Sequence, residues 1–208
     1  GQVASLEWQI VRRVLDGRKS LVLPDGGMTL QSRAYAVNAA AALLTVVDNP
    51  DEAAGEVYNV SDEWTPTLLQ WVEIIAAALD HNFEIVNIPW EYATVAQRLT
   101  LRGTPHHRVT SSEKAIFDLG YRDVVDPIEG LSATARYLAA NPLDRGGSAE
   151  RSLGDRFDYE AEDQLIAVWL EAMQSVSVVA DSVDPGFVDR YSANFNDHDR
   201  KGWTTIRK

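Results

Sequence analysis

GEVYNVSDEWTPTLLQWVEIIAAALDHNFEIVNIP, residues 55–89, decides the fold class, because it reads as strand, helix and strand in immediate succession. In EVYNV, residues 56–60, Val57, Tyr58 and Val60 suit a pleated surface. In TPTLLQWVEIIAAALD, Leu68, Val72, Ile75 and Leu79 fall on one side of a helix, Thr67 and Gln70 stand at capping-box spacing, and Pro66 lies just outside. FEIVNIP then returns to β-leaning residues. A helical pattern between two such runs argues an α/β fold.

The same alternation extends upstream. Leu6, Ile10 and Val14, with Trp8, Val11 and Leu15, keep the spacing of a helix with one buried side, which stops at Gly17. SLVLP is a short strand closed by Pro24, Asp25, Gly26 and Gly27, residues that favour a turn. NAAAALLTVVDNP is an almost wholly apolar helix ending at Asn49-Pro50, so it is expected to be buried on several sides.

Downstream, WEYATVAQRLTLRG is expected to be helical, and SSEKAIFDLG to be a short helix opened by Ser111 and closed by Gly120. In DPIEGLSATARYLAANP, Asp126 is the cap, Pro127 the first turn, Glu129 the capping-box partner and Pro142 the stop. Pro, Gly and Ser dilute residues 143–157, which read as a linker. Beyond it, Asp158 opens a helix with Leu165, Ile166, Trp169, Leu170 and Met173 as its apolar stripe, through about residue 178. The remainder to residue 208 is polar with scattered aromatics, and no element is assigned to it. The expected organisation is therefore 1–142, a linker over 143–157, and a helical extension over 158–208.

Composition limits the function. The chain has 208 residues and a formal charge of −12, which opposes sequence-independent binding to nucleic acid or to anionic membranes. No uninterrupted apolar run reaches the ~18 residues of a membrane span, so no membrane contact is expected. There is no cysteine, which removes disulfides and thiolate chemistry and fits the cytoplasm. The chain opens GQVASLEWQI on a helical pattern, and a preceding part is expected.

The motifs of independent catalysis are missing from the sequence. There is no GxGxxG turn for a dinucleotide, no Walker pattern and no GxSxG elbow, and His81, His106, His107 and His198 lack HExxH spacing. His106 and His107 could shuttle a proton in a hydrolase, but adjacent loop histidines are more often solvated polar residues, and no metal site is expected.

Several segments, taken in order, resemble a known family. They are GQVASLEWQIVRRVLDGRKSLVLPDGG, SRAYAVNAAAALLTVVDNPDEAAGEVYNVSDEWTPTLLQWVEIIAAAL and HHRVTSSEKAIFDLGYRDVVDPIEGLSATARYLAANP. Residues 1–142 look like the C-terminal half of an extended short-chain dehydrogenase/reductase, the NAD-dependent epimerase/dehydratase family.

That resemblance implies a Rossmann-type enzyme lacking its N-terminal dinucleotide-binding half here, with a helical C-terminal extension added. NAD or NADP would serve the complete enzyme, and this chain alone would bind neither. The family's proton transfer uses a YxxxK motif, yet no tyrosine in this sequence has lysine four residues later, so no catalytic residue is assigned. Arg33 in SRAYAV matches one family arginine and Arg108 in HHRVTSSEKA lies near the place of a second; in nucleotide-sugar members these grip the diphosphate, a task suited to a guanidinium fork, and the alternative for both is a surface or inter-element ion pair. Asn38 stands where the family usually has aspartate, a departure that suggests an outlying branch and weighs against a sugar-nucleotide substrate. The implied function is substrate binding within an epimerase, dehydratase or reductase acting on a sugar nucleotide or related small molecule. The alternative is a non-catalytic α/β module for ligand binding or regulation. Partners follow from the same reasoning: a small-molecule substrate, and either the N-terminal Rossmann half or another chain, a second copy included, over the apolar 39–60 surface.

Overall fold

A computed structural model of the chain describes residues 5–100 and 103–183. It is mixed α/β and mostly helical. Its elements are α1 (Ser5–Leu15), β1 (Ser20–Pro24), α2 (Ala36–Asp48), α3 (Pro50–Ala53), α4 (Leu68–Ala78), β2 (Glu84–Ile88), α5 (Glu113–Leu119), α6 (Pro127–Ala140), α7 (Ser148–Arg151) and α8 (Tyr159–Ser182). The chain divides into two compact units, residues 1–166 and 167–208, with the boundary inside α8.

The first unit is built around β1 and β2, which pair in parallel from Ser20 opposite Glu84 to Pro24 opposite Ile88. Parallel neighbours need a long crossover, and α2 to α4 supply it. Leu21, Leu23 and Ile88 are fully buried, and α1, α4 and α6 pack on one another. The α4 capping box forms as the sequence predicts, with Thr67 accepting from the Gln70 backbone and Gln70 accepting from the Thr67 backbone. Asp126 caps α6 by accepting from Ile128 N and Glu129 N. The turn after β1 uses Gly26 and Gly27 at positive φ, as its composition suggests.

Three expectations fail, each for a physical reason. EVYNV is not a strand, since no neighbouring strand pairs with it among the described residues; Tyr58 and Val60 pack on Ala42, Ala115 and Tyr121, while Val57 is 84% exposed. Among its described residues, the predicted helix at 90–103 is a set of turns that includes a 3-10 turn at Gln97–Leu99. Its buried apolar residues, Ala93, Ala96 and Leu99, recur every third position, the period of that tighter coil rather than of an α-helix. Finally, α2 buries only Asn38 and Ala42, leaving Val37, Leu43, Leu44 and Val47 exposed.

The stretch read as a linker is tied down. Glu150, from α7, is 4% exposed and accepts from Trp8 Nε1 at 3.0 Å, Arg12 Nε at 2.9 Å and Gly146 N at 2.7 Å. Arg13, fully buried in α1, bonds Asp155 and Glu162, with the Phe157 ring 5.2 Å away. Burial pushes the Glu150 carboxyl up, but its bonds from Gly146, Arg12 and Trp8 win and hold it below the ordinary value. A glycine- and serine-rich composition reads as linker because such residues build no apolar core, and this strap is held by charge instead.

In α8, Asp158 caps the first turn through Ala161 N, as predicted, and Glu162 is buried against Arg13. Within the second unit, the helical residues Val168, Leu170, Val176, Val178 and Val179 are exposed. By length and composition alone α8 could cross a membrane, a feature that a search for uninterrupted apolar runs does not detect. Residues 184–208, to which the sequence assigned no element, lie outside the described residues.

Candidate functional site

A cavity of about 340 Å3 opens between the starts of α1 and α2 and the facing sides of α4 and α6. Glu7, Arg33, Tyr35, Asp62, Trp71, Leu131 and Thr134 line it. Its size lies at the lower end of small-molecule sites.

Arg33 reaches the cavity because its backbone is pinned between two bridges. Leu30 pairs with Thr67 and Gln31 with Arg108, and the Arg33 carbonyl accepts from Asp62 N at 2.7 Å. Its guanidinium lies 5.4 Å from the centre of the Trp71 ring, and Nη2 donates to Gln31 Oε1 at 3.2 Å. Arg33 Nε is buried without a hydrogen-bond partner. Trp71, from the buried side of α4, likewise leaves Nε1 unbonded, and Glu7, in the first turn of α1, leaves Oε2 unbonded. Three of the lining residues thus carry a buried polar atom without a partner, which is unusual, since such groups normally find one.

The opposite wall is satisfied internally. Asp62 accepts from Tyr35 N with both oxygens at 3.0 Å and from Asn38 Nδ2 at 3.0 Å, so it caps α2 from a distant loop. Burial raises the Asp62 carboxyl above its usual value, against the bonds from Asn38 and Tyr35. Asn38 is fully buried; it also donates to Val125 O at 2.9 Å and accepts from Val124 N and Val125 N. An aspartate there would have no proton to give Asp62 or Val125 when ionised, which explains why this chain carries the amide. Gly130 lets α6 close on the site: a Cβ there would sit 2.8 Å from the Tyr35 ring.

The two predicted arginines share one backbone neighbourhood but not one cavity. Arg108 donates its backbone N–H to Leu30 O and accepts from Ser32 N, while its side chain is absent from the cavity lining and its Nε is buried without a partner. His107 Nδ1 accepts from Leu30 N at 3.0 Å, a structural task, and His106 is exposed. No group of three potential metal ligands occurs among the described residues. Of the residues the sequence did not single out, Glu7 had a signal, a charge inside the buried run from Leu6 to Arg13; Asp62 had none. Trp71 lies within the α4 helical pattern, where an aromatic is more often core than a ligand contact.

In the turn after β1, Gly27 has no free face. A Cβ at Gly27 would meet Leu69 N at 2.8 Å and Leu23 Cδ1 at 2.9 Å, so the start of α4 already fills the space beside this glycine.

No family model matches the chain, and no curated protein matches it. Solved structures do. A UDP-glucuronic acid 4-epimerase from Bacillus cereus, in complex with UDP-glucuronic acid and NAD, is similar at 15% identity and a TM-score of 0.52, over 65% of this chain and 40% of that one. A UDP-galactose 4-epimerase is similar at 17% identity and a TM-score of 0.50, over 66% and 41%. A dTDP-glucose 4,6-dehydratase from Bacillus anthracis, in complex with NAD, reaches 21% identity and a TM-score of 0.49, over 65% and 39%. The likeness to the two epimerases shows a shared fold over the matched part. The chain spans about 40% of the length of these proteins.

Proposed function

We propose that residues 1–142 form the C-terminal, substrate-side portion of an NAD(P)-dependent epimerase, dehydratase or reductase acting on a sugar nucleotide or related small molecule. In this reading the cofactor and proton-transfer groups belong to an N-terminal Rossmann half or to another chain. Arg33 anchors the substrate in the α1/α2/α4/α6 cavity, and Arg108 steadies the strand beside it. Residues 158–208 are an extension to this portion, and the cytoplasm is its setting.

One observation supports this reading above the others: the apolar side of α2, with Leu43, Leu44 and Val47 between 64% and 71% exposed, stands open in a chain with this fold. Covering a few hundred Å2 of such surface is worth several kcal/mol at about 25 cal/mol per Å2. The missing half, or a second copy, gains that energy by docking there. A NAD or NADP bound in the complete enzyme supplies hydride chemistry; this chain's share is to hold the substrate and keep water from it.

Thermal shift with NAD, NADP and UDP-glucuronic acid tests the proposal, since a ligand of the folded state raises the melting temperature. The expected result is no response to either dinucleotide, and a response to the nucleotide sugar that Arg33→Ala removes. A clear NAD shift, or a nucleotide-sugar shift untouched by Arg33→Ala, overturns it.

A further inference from the structure

The strap over residues 143–157 walls a second cavity, of about 540 Å3, which shares no lining residue with the Arg33 cavity. Arg145, Arg151 and Arg156 line it, and all three are exposed, so their guanidiniums are open to solvent. The two lining carboxylates are already engaged. Glu150 accepts from Trp8, Arg12 and Gly146 N, and Asp155 accepts from Arg13 Nη1 at 2.8 Å and Phe157 N at 2.8 Å. Arg12 and Arg13 thus neutralise both, and Asp16 answers Arg145 at 2.8 Å. Arg151 donates to the Gly146 carbonyl, and neither it nor Arg156 has an ion pair among the described residues. Arg98, likewise without one there, lies against the lining Gly154, its Nε 3.9 Å from where a Cβ would stand. In a chain of net charge −12, cations without counter-charges gathered on one concave surface attract an anion. Phe157, on the same wall, holds φ at +51°, a conformation that aromatic residues rarely adopt and that clusters at functional sites. A guanidinium fork pairs oxyanion oxygens two at a time. A phosphate presents its oxygens in several directions to arginines that come from several turns, whereas a planar carboxylate presents them in one.

We propose that the strap cavity binds a compact, multiply charged phosphate compound, and that its occupation fastens the strap to the first unit. Arg145 and Arg156 stand near the two ends of the strap, so an anion held by both joins those ends, and Arg98 ties them to the turns at 93–99. The site lies beyond residues 1–142 and is independent of the Arg33 cavity.

Isothermal titration calorimetry on the full chain at low ionic strength, with inorganic pyrophosphate, inorganic phosphate and citrate as probes, tests the site. Pyrophosphate is expected to bind more tightly than either of the others. The Arg156 side chain makes no hydrogen bond or ion pair among the described residues, so Arg156→Gln should leave the melting temperature unchanged. It should weaken pyrophosphate by about tenfold, the worth of one charge-assisted contact, and Arg151→Gln should do about the same. Arg33→Ala should change nothing. A ligand of the closed strap also suppresses its opening, so at ten times its dissociation constant pyrophosphate should slow proteolytic cleavage within 143–157 by about tenfold. Pyrophosphate affinity unchanged in both glutamine variants, or lost in Arg33→Ala, overturns the proposal. So do citrate binding more tightly than pyrophosphate, binding that leaves strap cleavage as fast as before, and no binding at millimolar concentration.

Discussion

Replacing Asn38 by aspartate, the residue the family resemblance leads one to expect, should be among the most damaging conservative changes in this chain. Asn38 Nδ2 serves two acceptors, Asp62 Oδ1 at 3.0 Å and Val125 O at 2.9 Å, while Oδ1 receives Val124 N and Val125 N. Asn38→Asp keeps the accepting side and loses both donations. Val125 O, left unserved, costs about 1–3 kcal/mol, and the introduced carboxylate, once ionised, would also face that of Asp62, which keeps only its bonds from Tyr35 N. The sum is about 3–5 kcal/mol, the range for breaking a buried charged contact. Urea titration followed by tryptophan fluorescence reads it directly. The loss should shrink in acid: the Asp62 carboxyl already sits above its ordinary 3.8, and a second carboxylate would raise it further. A raised carboxyl favours the folded state below 3.8, and that advantage fades as pH climbs through the folded value. Asp62→Asn in the same background restores a donor between the two side chains, and should recover part of the loss while leaving Val125 O unserved. A single mutant within about 0.5 kcal/mol of wild type, the range of ordinary surface changes, would refute the reasoning. So would a double mutant no more stable than Asn38→Asp.

Other changes test the remaining contacts. Gly130→Ala drives a methyl to within 2.8 Å of the Tyr35 ring, and should cost about 1–3 kcal/mol despite the better helix propensity of alanine, measured by denaturant midpoint. Arg13→Met leaves Asp155 without its cation and Glu162 with only the longer contact to Arg18 at 3.7 Å, so a loss of about 3–5 kcal/mol is expected; the double replacement Asp155→Asn, Glu162→Gln in that background should win part of it back. Glu150→Ala should release the 143–157 strap, seen as new proteolytic cleavage there with α4 and α6 still protected. In the wild type, the depressed Glu150 carboxyl contributes stability that is complete above its ordinary 4.5 and disappears as pH falls through its folded value, so strap cleavage should begin only in acid.

Local chemistry was legible wherever it acts over a few residues. The Thr67–Gln70 box, the Asp126 and Asp158 caps and the glycine turn after β1 are decided by neighbours in sequence, and each forms as read. What failed depended on distant partners. EVYNV has strand composition but no strand beside it, and the 143–157 strap has linker composition but meets Arg12 and Arg13, more than 130 positions away. Arg33 could be singled out from its segment, yet the cavity it lines needs Glu7, Asp62 and Trp71, which come from three separate stretches.

Both kinds of failure have one physical root. A charged or β-branched residue states what it requires, a counter-ion or a pleated neighbour, without stating where that requirement is met. Arg13 and Glu150 find theirs inside the first unit, so the composition of the strap misleads while its energetics are sound. The outward residues of α2 and Val57 have no cover among the described residues, although their apolar surface is of the kind that normally acquires it. The same reasoning separates Glu7 from Glu150. Two buried carboxylates on or against α1 differ only in that Glu150 receives three donors and Glu7 Oε2 none. A carboxylate held by three donors stabilises the strap, whereas the unpaired Glu7 Oε2 is a cost that the rest of the first unit has to offset.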